Sequence, residues 1–489
     1  MAFNSIQFLV FFPIVLALYY ASPARYRWAL LLAASLYSCG SGAPIFILPL
    51  LATTAVTYVC ALSIAGASNA KSKRRQLELG LVALLGTLLV FKYFNFFNDN
   101  LRALFTALGL PYGIRNLNLF LPLGISFYTL QQISYLVDVY RGKVEPERHF
   151  GLLALYVAFF PRFVAGPIER AGSLLPQLRV AQPFAYGELV AGLQLAALGF
   201  FKKVVVADRL APFVEQVYHN PQAHDGVAVT FATLLFAVQI YCDFSGYTDI
   251  ALGVAQCMGY KLTPNFKQPY YATSIQDFWK RWHISLSNFL TDYVFTPVTR
   301  QRLIKVKFYY LMLGGLVFTF LVSGLWHGAE WTFVAWGLLH GSYLLMSTIT
   351  RDWRARVTKR IKLNESPRLQ RAWRIAFTFS LVCFAYILFN ARTMSEAFYL
   401  IRHLPTGWTH PAAGVKEVLQ GRHAEFVFAL LGTAVVMVTD FLQNQGPVRQ
   451  RLAARPTWMR WGVYYACAVS IILLGAFYET NQKFIYFQF

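Results

Sequence analysis

Residues 308–349 read FYYLMLGGLVFTFLVSGLWHGAEWTFVAWGLLHGSYLLMSTI, two apolar runs (308–325 and 331–349) separated by a break that carries Trp326-His327-Gly328. Each run is long enough, or nearly so, to cross a hydrocarbon core of about 30 Å. The pattern predicts a helical hairpin in the membrane with His327 at or near its turn. Ionisable groups at membrane depth are costly and usually functional. His327 is therefore the first candidate functional residue.

Basic residues flank this hairpin on both sides. They are Arg300, Arg302, Lys305 and Lys307 before it, and Arg351, Arg354, Arg356, Lys359, Arg360 and Lys362 after it. Positive residues concentrate in cytoplasmic loops, so both ends of the hairpin are predicted to be cytoplasmic. His327 then lies at the far tip of the hairpin or at mid-membrane.

The whole chain is strongly apolar. Of its 489 residues 57% are hydrophobic, 17% are aromatic and only 13% are charged, which excludes an ordinary soluble protein. Further apolar runs lie at 5–22, 44–64, 78–97, 119–140, 188–207, 229–257, 374–390, 424–442 and 458–478. We predict an all-α polytopic membrane protein with about eleven to thirteen transmembrane helices. The simplest organisation is a single integral membrane domain over residues 1–489, with the lipid bilayer as a partner.

The net charge of +22 does not indicate a nucleic-acid partner. The Lys and Arg residues cluster in loops between apolar runs and do not form a basic face interleaved with stacking aromatics. The charge is therefore interpreted as a topology signal. The six cysteines are scattered singly, without Cys-x-x-Cys spacing, and no metal site is predicted.

Two stretches, 150–187 and 276–297, contain polar or Pro/Gly residues that are unusual for membrane spans. The first contains Pro161 and Pro167, which break a helix. The charge map is consistent only if both stretches enter the membrane and return to the same side. Broken backbone at that depth is tolerated where protein or water surrounds it. We therefore predict re-entrant segments around a central tunnel.

The second of these stretches contains another candidate, His283, in the sequence Arg281-Trp282-His283-Ile284-Ser285. One interpretation is a second catalytic group, or a group that positions a substrate. The other is an interfacial helix with Trp and Arg anchors. The candidate tunnel residues of this stretch are Trp279, Arg281, Trp282, Ser285 and Asn288.

A third polar group lies inside the long apolar run at 229–257. Asp243, Ser245, Tyr247 and Asp249 occur there, and the first three are candidate tunnel residues. Carboxylates at membrane depth must face protein, water or a cation. The group is compatible with a polar tunnel, with the coupling site of an ion-coupled transporter, and with a structural network between helices.

The neighbours of His327 suit acid–base chemistry. Trp326 and Trp331 supply apolar bulk, and Glu330 could orient or charge the ring. A neutral imidazole there could take a proton from a hydroxyl group, as a general base does. The alternative is an interfacial histidine that caps the hairpin. His340, in the following helix, is predicted to be a hydrogen-bonded packing residue.

Five motifs in order resemble the bacterial membrane-bound O-acyltransferase family. They are Pro122 to Thr129 (PLGISFYT), Phe160 to Pro167 (FPRFVAGP), Asp243 to Tyr247 (DFSGY), Arg281 to Ser285 (RWHIS) and Gly324 to Gly328 (GLWHG). The closing residues Phe484 to Phe489 (FIYFQF) look like the alginate O-acetyltransferase branch of that family. Together the motifs cover nearly the whole chain.

The resemblance implies a helical fold around a tunnel in the bacterial inner membrane, with His327 as the catalytic residue and His283 as the second functional histidine. It implies no bound cofactor and an acyl-CoA donor, here acetyl-CoA, that enters from the cytoplasm. The acceptor would be a hydroxyl of an extracytoplasmic polysaccharide, such as an alginate-like polymer or peptidoglycan, or of a periplasmic SGNH-type partner transferase.

The polymer stays open, because residues 296–302 depart from the turn often seen in the family at this point. Three alternatives remain at this point. The chain could transfer D-alanine to teichoic acid from a carrier protein, act as an ion-coupled transporter, or serve as a scaffold for a polysaccharide export complex.

Overall fold

The computed structural model describes residues 1–300, 307–446, 448–476 and 484–485, and within these ranges the regular structure is helical, without a strand. The α-helices are α1 Ile6–Ala21, α2 Arg27–Gly40, α3 Ile47–Gly66, α4 Ala70–Leu88, α5 Phe94–Ala107, α6 Ile125–Tyr140, α7 Phe150–Ala158, α8 Ala171–Arg179, α9 Tyr186–Phe200, α10 Asp208–His219, α11 Gly226–Cys257, α12 Ile275–Trp279, α13 Ile284–Leu290, α14 Thr296–Arg300, α15 Phe308–His327, α16 Trp331–Ile349, α17 Arg351–Arg360, α18 Pro367–Asn390, α19 Met394–His403, α20 Pro411–Leu419, α21 His423–Asn444, α22 Val448–Ala453 and α23 Thr457–Leu474.

Eight continuous helical stretches among the described residues are long and apolar enough to cross a membrane. They are Pro44–Gly66, Ala70–Ala107, Tyr186–His219, Gly226–Cys257, Phe308–His327, Pro367–Asn390, His423–Asn444 and Thr457–Leu474. The remaining apolar runs form α1, α6 and α16, so every predicted run contains a helix. The all-α polytopic fold is confirmed. The additional crossings in the predicted total would have to come from these three helices, of 16, 16 and 19 residues.

Two of these eight stretches contain a π-helical segment, at Leu89–Tyr93 and Phe201–Ala207, and a third π-helical segment, Thr291–Phe295, joins α13 to α14. A π turn inserts extra backbone into an α-helix and is frequent at functional sites. The segment Phe201–Ala207 joins α9 to α10 and carries Lys202 and Lys203, two cations inside an otherwise apolar stretch.

The chain divides into two compact units, one of residues 1–196 and 248–263, the other of residues 197–247 and 264–489. The organisation as a single domain stays a prediction. In the first unit α3, α4 and α6 pack together, and α7 packs on α2, α3 and α8. The predicted break at Pro161 and Pro167 is the non-helical segment 159–170 between α7 and α8. Within it Glu169 accepts hydrogen bonds from the backbone N–H and the hydroxyl of Thr263.

The second unit is organised around the antiparallel hairpin of α15 and α16, which is the predicted hairpin. Helix α16 also packs against α12, α18 and α19. The second predicted break, 276–297, consists of the short helices α12 and α13, the π segment Thr291–Phe295 and the start of α14. The re-entrant placement of both broken stretches and the tunnel stay predictions.

Glycines set the close packing of the hairpin. A Cβ atom on Gly324 would collide with the carbonyl oxygen of Phe333, and one on Gly337 would collide with the carbonyl oxygen of Phe320. Small residues let membrane helices approach backbone to backbone in this way. The contact fixes the register of α15 against α16, and with it the position of His327 across from α16.

Candidate active site

His327 is the last residue of α15 and its side chain is buried, with 4% of its surface exposed. Its Nδ1 lies 2.7 Å from the backbone carbonyl oxygen of Ser323, one helical turn earlier. A carbonyl oxygen can only accept a hydrogen bond, so Nδ1 carries the hydrogen. In the neutral ring Nε2 then keeps the lone pair that can accept a proton.

Aromatic rings surround this imidazole. The ring centres of Trp326 and Trp336 both lie 4.9 Å from that of His327, and the ring centre of Phe389 lies 5.6 Å away. All three side chains are buried. The surroundings have low polarity, which strengthens any hydrogen bond or charge interaction made there.

His283 is fully buried and occupies the N-cap position of α13 with φ 45°, in the left-handed region. That conformation costs a non-glycine residue about 1–3 kcal/mol and is found most often at functional sites. Asn265 holds it in place: its backbone carbonyl accepts from the N–H of Ile284 and its side-chain oxygen accepts from the N–H of Ser285, both at 3.0 Å. These bonds satisfy the first donors of α13.

The structure brings the two candidate histidines together. The Trp326 ring lies 5.9 Å from the ring of His283 and 4.9 Å from that of His327, so one indole contacts both imidazoles. Phe244, from the Asp243-to-Tyr247 motif, packs on His283, with the two ring centres 4.8 Å apart. Two of the sequence motifs therefore meet the Trp326-His327 motif at one place.

His340 has the opposite hydrogen bonding. The indole Nε1–H of Trp279 donates to its Nδ1 at 3.3 Å, so in the neutral ring Nε2 carries the hydrogen. The Trp336 ring lies 4.8 Å away. His340 is buried and hydrogen-bonded, as predicted.

Asp243 faces a cation, which is one of the three surroundings expected for a carboxylate at this depth. Lys203 forms ion pairs with both Asp243 and Asp208, the latter at 2.8 Å, and all three side chains are almost fully buried. We call these three residues the ionic cluster. The second oxygen of Asp243 accepts from the backbone N–H of Ile485 at 2.8 Å.

The C-terminal motif packs against the same cluster. The ring of Phe484 lies 4.1 Å from the ammonium of Lys203 and 4.9 Å from the ring of Tyr247. Residues 486–489 of the motif lie outside the described residues, as do residues 301–302 of the loop that departs from the family pattern. Asp243 and Tyr247 thus hold the described part of the C-terminus.

The other predicted site residues lie in different surroundings. Arg281 pairs with Asp277 at 2.8 Å, and Trp282 is buried among aromatic rings that include Phe278 and Phe266. Ser285 and Ser245 are buried, Asp249 is half-buried, and Asn288 is exposed. Trp331 is 54% exposed at the start of α16, while Trp336, one and a half turns later, packs on His327.

The group that orients His327 is the Ser323 carbonyl oxygen, whereas the sequence had offered Glu330. The Glu330 side chain is exposed in the turn before α16. Desolvation of its carboxyl raises the pKa of Glu330 above the usual value. In the part of the chain that the structure describes, no group of three or more His, Cys, Asp or Glu side chains is placed to hold a metal ion.

Sequence reasoning missed three residues: Ser323, Trp336 and Lys203. A usable signal existed for Ser323, which precedes His327 by four residues and therefore lies one helical turn away. The signal for Lys203 was a pair of lysines inside the apolar run 188–207. Trp336 is nine residues from His327, and only the hairpin packing brings it close.

The fold is all-helical and polytopic, and two buried histidines, His283 and His327, contact the indole of Trp326. These features are typical of an integral membrane enzyme. The sequence model of the membrane-bound O-acyltransferase family matches residues 148–390. The chain is 37% identical to the probable alginate O-acetylase AlgI of Azotobacter vinelandii, over 90% of this chain and 86% of that protein. The chain therefore belongs to the membrane-bound O-acyltransferase family, and it is an O-acyltransferase of a multi-pass bacterial membrane type.

Two further relatives show the range of the family. The peptidoglycan O-acetyltransferase of Helicobacter pylori is 34% identical over 90% of this chain and 88% of its own length. The teichoic acid D-alanyltransferase of Bacillus subtilis is 27% identical, over 56% of this chain and 70% of its own length. The two O-acetyltransferase matches therefore cover much more of this chain than the D-alanyltransferase match.

Proposed function

We propose that this protein moves an acetyl group from cytoplasmic acetyl-CoA across the bacterial inner membrane to a hydroxyl of an extracytoplasmic polysaccharide, or of a periplasmic partner transferase of the SGNH type that completes the transfer. The names of the relatives with high coverage support acetyl as the acyl group, and alginate or peptidoglycan as the polymer class. The shorter match to a D-alanyltransferase makes D-alanine the weaker alternative.

The observation that carries the chemical role is the hydrogen bond of His327 Nδ1 to the Ser323 carbonyl at 2.7 Å. It fixes the tautomer in which Nε2 is the basic nitrogen. In the proposed step Nε2 takes the proton of the acceptor hydroxyl while the oxygen attacks the thioester carbonyl. The C–S bond then breaks, the proton passes to the leaving thiolate, and free CoA thiol is released.

His283 is proposed to position the donor or the acceptor. Its support is its contact with Trp326, the indole that also contacts His327, and a backbone conformation that Asn265 imposes at an energetic cost. Holding both reactants beside one base supplies catalysis through orientation. The ion-coupled transporter has less support, because Asp243 is already neutralised inside the protein by Lys203.

The experiment uses the full-length protein in nanodiscs with labelled acetyl-CoA and either alginate oligomers, peptidoglycan fragments or a partner transferase. Transfer of label and release of free CoA thiol are expected from the wild type, and both are expected to be lost in His327→Ala. Unchanged transfer by His327→Ala would remove His327 from the mechanism. Accumulation of a solute in proteoliposomes without thiol release would overturn the acetyl-CoA donor.

A further inference from the structure

Three polar hydrogen donors on the two helices of the hairpin, α15 and α16, are buried without a hydrogen-bond acceptor among the described residues. They are the indole Nε1–H of Trp336 and the hydroxyls of Ser323 and Thr332. The exposed fractions of these side chains are 3%, 0% and 1% respectively. Buried polar groups are nearly always hydrogen-bonded, because leaving one unpaired costs about 1–3 kcal/mol. Two of them belong to residues that contact the imidazole of His327, namely Ser323 and Trp336, and this indicates a ligand that accepts their hydrogen bonds.

On α15 the donor lies on the helix face that carries His327. On α16 the two donors lie on the face that packs against His327. Ser323 lies one turn before His327 on α15, and Thr332 and Trp336 lie one turn apart on α16. The contact of the Trp336 ring with the His327 ring, at 4.9 Å, shows that the two faces meet. The close approach at Gly324 holds this register.

The chemistry of an indole N–H restricts what it can bind. It donates a hydrogen bond, cannot accept one, and cannot take a proton at any ordinary pH. It therefore suits an oxygen that gains negative charge during the reaction. Acyl transfer has one such oxygen, the carbonyl oxygen of the thioester, while the other reacting oxygen, that of the acceptor hydroxyl, must meet the base.

We propose that Trp336 Nε1–H, together with the Ser323 hydroxyl, donates hydrogen bonds to the carbonyl oxygen of the acyl thioester. This proposal rests on the proposed function of His327 and names the group that stabilises its intermediate. As the acceptor oxygen bonds to the carbonyl carbon and His327 takes the proton, the C=O electron pair moves onto the carbonyl oxygen. It returns when the C–S bond breaks and the thiolate leaves.

The first test is kinetic. In Trp336→Phe, which keeps an aromatic ring and removes the N–H, kcat is expected to fall about 10²-fold, with KM for acetyl-CoA changed much less, as for other donors of this kind. Ser323→Ala keeps the backbone carbonyl that orients His327 and is expected to lower kcat about tenfold. Trp373→Phe makes the same substitution at an exposed position on α18 and is the matched control, with unchanged kcat.

The second test measures binding without turnover. A ketone analogue of acetyl-CoA, with CH₂ in place of the sulfur, keeps the carbonyl oxygen, whereas S-ethyl-CoA lacks it. The wild type is expected to bind the ketone more tightly than the thioether, and Trp336→Phe is expected to lose that preference. An unchanged preference, or an unchanged kcat, in a folded Trp336→Phe protein would overturn the proposal.

The outcomes separate this proposal from the proposed function. If the wild type releases no CoA thiol from acetyl-CoA, the proposed function fails whatever the variants do. If the wild type turns over and Trp336→Phe matches it in kcat, only the role of Trp336 fails. Gel filtration and the unfolding temperature establish whether Trp336→Phe folds, and if it does not, Ser323→Ala decides through both tests.

Discussion

Two groups of buried polar residues in the same unit differ in how their hydrogen bonds are satisfied. One is the hairpin site, formed by His327, Ser323, Thr332 and Trp336, and the other is the ionic cluster of Lys203, Asp208 and Asp243. In the ionic cluster one ammonium pairs with two carboxylates, and Ile485 adds a backbone donor. In the hairpin site three donors have no acceptor among the described residues. Within the ionic cluster only Oδ2 of Asp208 lacks a partner in the described part of the chain, and the paired charges hold the fold together. Donors left without a partner are available to a substrate.

The largest expected effect separates His327 from His340, two buried histidines that both contact Trp336. His327→Gln should lower the rate of acyl transfer by about 10²–10⁴-fold, because it removes a general base. His340→Gln keeps an acceptor for Trp279 and should stay within about tenfold of the wild type by the same measure. Release of CoA thiol per folded molecule is the measurement. Equal losses of transfer rate in the two variants would contradict the assignment of His327, and not His340, as the general base.

Loss of the cation tests the ionic cluster. Lys203→Met should destabilise the protein by about 3–5 kcal/mol, because it leaves two buried carboxylates without their counter-charge. The unfolding temperature in detergent reports the change. The double variant Lys203→Met/Asp243→Asn should recover part of it, since one of the unpaired charges is removed. A wild-type unfolding temperature in Lys203→Met would show that the cluster does not hold the fold.

A smaller effect is expected from filling the helix contact that sets the hairpin site. Gly324→Ala places a methyl group against the Phe333 carbonyl and should cost about 1–3 kcal/mol, as overpacking does. It should also lower the transfer rate, because α15 must shift against α16. Gly314→Ala on the same helix meets no atom within 4 Å and is the control. Indistinguishable unfolding temperatures for the two variants would argue against a tight contact.

The smallest effect concerns the backbone of His283. Glycine adopts positive φ without strain, so His283→Gly should be more stable than His283→Ala by about 1 kcal/mol, although both lose the imidazole. The difference between their unfolding temperatures measures the strain that Asn265 imposes. If the alanine variant is the more stable of the two, the left-handed conformation carries no cost.

The sequence predicted the helices and His327 as a candidate residue because both depend on local properties, whereas the pairing of His327 with His283 came from the family resemblance. A run of apolar residues long enough to span a bilayer is visible without any knowledge of packing, and all of the runs contain helices. An imidazole at membrane depth is equally conspicuous. For Asp243 the sequence left protein, water or a cation as the possible surroundings, and the structure places the cation of Lys203 there.

The identities of the partners could not be predicted, because they come from packing between distant segments. Lys203 and Asp243 are 40 residues apart, on different helices. Trp331 was chosen as a neighbour of His327 because it is close in sequence, but it begins α16 with its side chain half exposed, and the antiparallel return of that helix brings Trp336 to the imidazole. Sequence separation misleads wherever a helix turns back on itself.

The bond from the Ile485 N–H to Asp243 bears on how this protein is made. One donor to the buried carboxylate comes from a residue 242 positions later in the chain. The helices that carry Lys203, Asp208 and Asp243 are synthesised long before it. The unit that holds the histidines therefore gains this hydrogen bond only after Ile485 has been synthesised, and a chain that stops before Ile485 lacks that donor.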